Sequence, residues 1–224
     1  MSSFVIAIDG PSGTGKSTVS RRVAAALGAG YLDTGAMYRI VTLAVLNAGV
    51  DPADDEAVAA LLPTLTFASP TDPVAQNHEL DGVDVGQAIR SHEVTAAVSP
   101  VSANPAVRLW LKERQQELAH SGRMVVEGRD IGTVIAPGAD LKIYLTADEG
   151  VRAARRHRDY APGAGALQVD AVQTALAARD RFDSTRAHAP LRAAEDSVEV
   201  DSTHFEIEDT VAAILRLAGE RGIS

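Results

Sequence analysis

Gly10-Pro11-Ser12-Gly13-Thr14-Gly15-Lys16-Ser17 follows directly on the apolar run Val5-Ile6-Ala7-Ile8 and leads into a helical pattern. In that pattern Val19, Val23 and Leu27 recur at four-residue spacing until Gly28 closes it. The reading is a strand, then G-x-x-x-x-G-K-S, then a helix from Thr18 to Leu27. Glycines let the backbone turn so that successive N–H groups face an anion, and the following helix adds its positive end. Gly10 to Thr18 therefore form a candidate cradle for a nucleoside triphosphate. Lys16 reaches the β- and γ-phosphates, and the Ser17 hydroxyl is the candidate Mg²⁺ ligand.

The chain has 224 residues, 46% of them hydrophobic, enough for one α/β domain with a small insert. It has no cysteine, which excludes disulfides, thiolate metal sites and cysteine nucleophiles. Met1-Ser2-Ser3-Phe4 runs straight into the first strand, with no basic start and no long apolar stretch, so a cytoplasmic protein without membrane segments is expected. A net charge of −9 argues against a surface that coats nucleic acid. The charge is uneven: between Arg152 and Arg192 eight arginines face four aspartates and no lysine, leaving −13 for the rest. An arginine patch in an acidic protein suits a small polyanion, because the guanidinium fork matches phosphate oxygens.

The remaining segments alternate. Tyr31-Leu32-Asp33 reads as a strand, and a helix runs from about Ala36 to Ala48. Asp54 caps a short helix over Asp55 to Leu62. From Pro63 to about Pro100 the texture changes. Leu65 to Ala68 is strand-like, and His78-Glu79-Leu80 and Val83-Asp84-Val85 flank Asp81-Gly82, a two-residue hairpin signal. Residues 63–100 are thus expected to form an antiparallel insert in a core of 1–62 and 101–224. Asn104-Pro105 starts a helix, and Met124 to Val126, Leu141 to Leu145 and Val198 to Val200 read as strands. Helices are expected over Asp148 to Asp159, Val169 to Thr185 and Ile207 to Leu217. Tyr160 to Ala166 is rich in Gly, Ala and Pro, so a lid is expected over about 152–168. The fold class is α/β, a doubly wound five-stranded parallel sheet with active residues at the carboxyl ends of its strands.

Four further polar segments fall at strand ends: Asp33-Thr34-Gly35-Ala36-Met37-Tyr38-Arg39, Glu127-Gly128-Arg129-Asp130-Ile131-Gly132-Thr133, Arg179 to Arg186, and Asp201-Ser202-Thr203. With Asp9 to Ser17 they stand in the order seen in bacterial cytidylate kinases, and the chain resembles that P-loop kinase family over nearly its whole length. The resemblance implies a kinase that moves the γ-phosphate of ATP to CMP or dCMP, with Mg²⁺. It implies that Gly10, Pro11, Ser12, Gly13, Thr14, Gly15, Lys16, Ser17 and Thr18 hold ATP, with Arg155 among the lid arginines. Arg39 and Arg129 would grip the monophosphate, and Thr34 would lie beside the acceptor nucleotide. Ser99, Arg108 and Asp130 would read the cytosine edge. Arg179 and Asp183 would contact the sugar, and Arg186 the phosphates. Lys16, Arg39, Arg129 and Arg186 are the expected catalytic cations. Asp33 is a weaker candidate for a second, water-mediated Mg²⁺ contact. No nucleic-acid polymer or membrane is expected as a partner, and a monomer is expected. A nucleotide-dependent switch is the rival from another class, but D-x-x-G and N-K-x-D both fail to occur.

Overall fold

The computed structural model describes residues 2–159 and 169–224. Among these residues the core is a five-stranded sheet, all of its pairs parallel, in the order β2 (Gly30–Asp33), β6 (Arg123–Gly128), β1 (Phe4–Asp9), β7 (Leu141–Thr146), β8 (Val198–Asp201). The central strand β1 reads Phe-Val-Ile-Ala-Ile-Asp and is buried along its whole length. Side chains alternate across a strand, so a continuous apolar run means that both faces are covered. Val5 and Ala7 pack on one side with α2 (Thr34–Asn47) and α5 (Pro105–Ala119). Phe4, Ile6 and Ile8 pack on the other with α1 (Lys16–Ala26) and α8 (Ile207–Glu220).

Residue chemistry explains the helix starts. Asp33 ends β2 and its carboxylate accepts from the Ala36 amide, capping α2. Asp54 does the same for α3 (Asp55–Leu61), accepting from Ala57. Asn104 caps α5 through the Ala106 and Val107 amides, with Pro105 at the first turn, where a missing N–H costs nothing.

The expected antiparallel piece is a three-stranded sheet of β3 (Phe67–Ala68), β4 (Glu79–Leu80) and β5 (Val83–Asp84). Asp81 and Gly82 both have positive φ, 51° and 78°, the conformation a two-residue hairpin turn requires. The segment before β4 also reaches the main sheet, where the Tyr31 amide donates to the Thr71 carbonyl at 2.7 Å. Beyond the hairpin the sequence reading missed α4 (His92–Ala103), capped by Ser91 and continuous through Pro100. It also missed a π turn over Ile131–Ile135, directly after β6. The helices α6 (Glu149–Asp159) and α7 (Val169–Thr185) stand at the expected positions, while the Gly/Ala/Pro-rich stretch between them lies outside the described residues.

Candidate active site

The carboxyl ends of β1, β2 and β6 converge on a cleft of about 510 Å³. Among the described residues its lining carries Lys16, Arg21, Arg39, Arg90, Arg129, Arg156 and Arg179 against two acids, Asp33 and Glu127. So many cations in one concavity repel one another strongly, and a polyanion relieves that repulsion.

The loop between β1 and α1 forms one wall. Gly10 has φ 148°, and a Cβ built there would sit 2.1 Å from the Leu145 carbonyl oxygen, so the loop leaves the sheet pressed against β7. Gly13 has φ 82° and packs on Arg152, with a Cβ position 2.9 Å from its carbonyl oxygen. Arg152 and Asp180 pair beneath the loop. Arg152 Nη1 donates to Ser12 O at 3.0 Å, and the Ser12 amide donates to Asp180 Oδ1 at 3.0 Å. Helices α6 and α7 thereby anchor the tip of the loop. Arg152, at the start of the expected lid span, is thus committed to the loop's underside. Arg155 instead binds the chain after β8, donating to Ser202 O at 2.7 Å and to Ser202 Oγ at 2.9 Å.

Lys16 Nζ donates to Pro11 O at 2.7 Å, arching back over the loop. Burial pushes its ammonium down to about 7, and nearby Arg129 adds to that, while Glu127, Asp180 and Asp9 oppose it. Glu127 ends β6 and is buried, and the Tyr31 hydroxyl donates to its Oε1 at 2.5 Å. Burial raises its carboxyl to about 7, with Asp33 adding to the shift and Lys16, Tyr31 and Ser17 countering it. Sequence reading gave Glu127 no role, although a carboxylate that closes an apolar strand beside a glycine was the visible signal. It stands within hydrogen-bonding reach of the Ser17 side chain.

Beside the cleft, the residues expected on the acceptor side form one ionic chain, of which Arg129 and Arg179 line the cleft itself. Arg108 and Asp130 form a close, buried ion pair, and Arg108 lies 5.6 Å from the centre of the Tyr38 ring. Asp130 also faces Arg186 at 3.8 Å, and Arg186 faces Asp183 at 3.7 Å. Asp183 accepts from Arg129 Nε at 3.0 Å and lies 4.0 Å from Arg179. Arg129 in turn donates to Gly10 O at 3.0 Å, which brings the chain to the phosphate loop. Arg179 Nε and Arg186 Nη2 are buried beyond hydrogen-bond distance of any acceptor among the described residues, facing Asp183 at 4.0 Å and Asp130 at 3.8 Å.

Arg39 donates to Ile89 O and to Thr95 Oγ1, both at 3.0 Å, and so ties α2 to the insert side. Burial, then Arg179 and Arg156, lowers its guanidinium to about 9. Thr34 spends its hydroxyl on Glu127 O at 2.7 Å. Ser99 lies one turn before Ser102 in α4, and Ser102 O accepts from Arg108 Nη1 at 3.1 Å. Arg90, to which the sequence gave no role, lines the cleft and reaches Asp33 at 3.7 Å. Among the described residues no group of three or more His, Cys, Asp or Glu is placed to hold a metal.

A family model described as cytidylate kinase matches residues 6–220. A cytidylate kinase of Rhodococcus opacus (strain B4) is 54% identical over 222 residues, covering 98% of this chain and 96% of the relative. One of Mycobacterium leprae (strain Br4923) is 47% identical over 222 residues, covering 99% and 98%. Among solved structures, an uncharacterized protein from Eubacterium ventriosum ATCC 27560 shares the fold at 9% identity, with a TM-score of 0.52 over 96% of this chain and 98% of that one.

Proposed function

The chain belongs to the cytidylate kinase family, and from that membership we infer that it transfers the γ-phosphoryl group of ATP to CMP or dCMP, giving ADP and CDP or dCDP. The observation that carries this reading is the ionic chain from Arg108–Asp130 through Arg186, Asp183 and Arg129 to the Gly10 carbonyl. It spans a base-reading pair at one end and a triphosphate loop at the other.

The chemistry asks for positioning and neutralisation more than for covalent help. The acceptor phosphate is already ionised near neutral pH, so no general base is required. Lys16 and the amides of Gly13 to Ser17 would hold the donor phosphates. The arrival of those phosphates would return the depressed Lys16 ammonium to full charge. Arg39, Arg129, Arg179 and Arg186 would grip the acceptor and neutralise the oxygens in flight. Mg²⁺, held by Ser17 with Glu127 and Asp33 nearby, would supply charge neutralisation at the donor phosphates. Asp130 can accept from cytosine N4 and Arg108 can donate to N3 or O2. Uracil puts a carbonyl against the carboxylate, a mismatch of buried polar groups. Among the described residues no helix is long and apolar enough to cross a membrane, and we propose a cytoplasmic enzyme whose site is complete within one chain.

The test is incubation with ATP, Mg²⁺ and a panel of CMP, dCMP, UMP, AMP and shikimate. CDP and ADP should form in equal amounts and only with Mg²⁺ present. Folded protein that makes no CDP from CMP refutes the reading.

A further inference from the structure

Asp9 has no contact with either substrate in the scheme above, yet it is one of the most enclosed acids of the site. It ends β1 and is 5% exposed. Its Oδ1 accepts from the Ile131 amide at 2.9 Å and its Oδ2 from the Gly132 amide at 2.8 Å. Those two amides open the π turn, immediately after Arg129 and Asp130. The same turn closes on the Asp130 carbonyl, which accepts from the Val134 amide at 2.8 Å. On its other side Asp9 is followed by Gly10, where the phosphate loop leaves the sheet and whose carbonyl accepts from Arg129.

The groups facing Asp9 come from several elements. Burial pushes its carboxyl pKa up, the two amides pull it back down, Asp130 adds to the rise and Lys16 opposes it. One side chain thus binds both backbone donors that define how the acceptor-reading segment exits β6, while its own main chain begins the donor loop.

We propose that Asp9 is a positioning residue for acceptor selection: by clamping the Ile131 and Gly132 amides it aims Asp130 at the base edge and keeps that aim in register with the donor loop. The proposal rests on the cytidylate kinase reading. A residue that merely ties two strands together affects how much protein folds. A residue that sets the aim of Asp130 affects which base the folded protein prefers. Asparagine separates the two roles, because it keeps the shape but offers a single oxygen. Whichever way its amide turns, one backbone N–H meets an NH₂ donor.

The experiment compares wild type, Asp9→Asn, Asp130→Asn and the double variant, each corrected for folded fraction, with CMP and UMP as acceptors. Asp9→Asn should lower the CMP/UMP ratio of kcat/KM by about tenfold. It should do so through a raised KM for CMP, with KM for ATP changed by less than about threefold. The double variant should show no further fall beyond Asp130→Asn, because the two residues act through one contact. An unchanged ratio in Asp9→Asn, or losses that multiply in the double variant, overturns the proposal. Should Asp9→Asn fail to fold, hydrogen exchange on the wild type decides instead. Saturating CMP should slow exchange at the Ile131 and Gly132 amides more than saturating UMP, and equal slowing overturns the role. Wild-type turnover of CMP is measured alongside, so a failure of the kinase reading is distinguishable from a failure of the positioning role.

Discussion

Replacing Asp183 by asparagine is the sharpest probe of the ionic chain beside the cleft. Among the described residues its carboxylate faces Arg129 at 3.0 Å, Arg186 at 3.7 Å and Arg179 at 4.0 Å. Those guanidinium side chains are only 17%, 7% and 23% exposed. At an effective dielectric of about 20, each pair at such separations is worth roughly 4–6 kcal/mol of direct attraction. The cost of burying the carboxylate offsets much of that. Breaking a buried ion pair by removing one partner costs about 3–5 kcal/mol net, since the other charge stays buried. Asparagine keeps an oxygen for Arg129, which places the expected loss near the lower end, about 3 kcal/mol. For a domain of this size that is a fall in Tm of roughly 6–12 °C. CMP brings a phosphate into the same arginine cluster, so saturating CMP should close at least about half of the gap between variant and wild type. Thermal unfolding followed by circular dichroism, with and without CMP, reads both quantities. A variant that melts with the wild type in the absence of nucleotide, or a gap that CMP leaves untouched, refutes the view that Asp183 holds the arginines until phosphate arrives.

Three other outcomes are expected. Lys16→Ala should lower kcat by about 10²-fold or more while the fold survives, because a single preorganised charge contact is typically worth a few kcal/mol; steady-state kinetics on CMP with circular dichroism checks it. Asp130→Asn should lower the CMP/UMP ratio of kcat/KM by about tenfold, mostly through lost CMP activity, and an unchanged ratio would leave Asp130 with no part in base choice. Stability should also depend on pH through Asp9, whose carboxyl is pushed by burial from 3.8 to about 6. The folded chain holds that proton more tightly than the unfolded one, so the contribution is complete below pH 3.8 and is lost as pH rises toward 6. It amounts to about 3 kcal/mol across that window. Denaturant titrations at several pH values should show the stability of wild type falling relative to that of Asp9→Asn across this window, and parallel curves would contradict it.

The donor loop was legible because a glycine-lysine-serine spacing between an apolar strand and a helix admits few other uses. The hairpin was legible from Asp81-Gly82, where both residues must take positive φ. Helix α4 was hidden by its own chemistry. Pro100 lies inside it, and proline usually signals a boundary. The π turn over Ile131–Ile135 has no periodic signature at all, since a single five-residue turn is shorter than any hydrophobic repeat. The site divided in the same way. Charged residues with obvious phosphate chemistry, such as Arg39 and Arg129, stood out in the sequence. Glu127 and Asp9 work through buried partners far along the chain, Tyr31 and Ile131–Gly132, and only the packing reveals those pairings.

The contact between Tyr31 and Thr71 bears on how freely the insert can be exchanged. β2 is the outermost strand on its side of the sheet, and the chain entering the hairpin occupies one of its outward amides. A shortened protein lacking residues 63–100 would lose more than a small antiparallel sheet. It would bare a strand margin able to pair with another molecule, and self-association would be the first symptom. An exchange of the insert therefore needs a graft that brings its own cover for that margin, so the insert and the edge of the sheet are one structural unit.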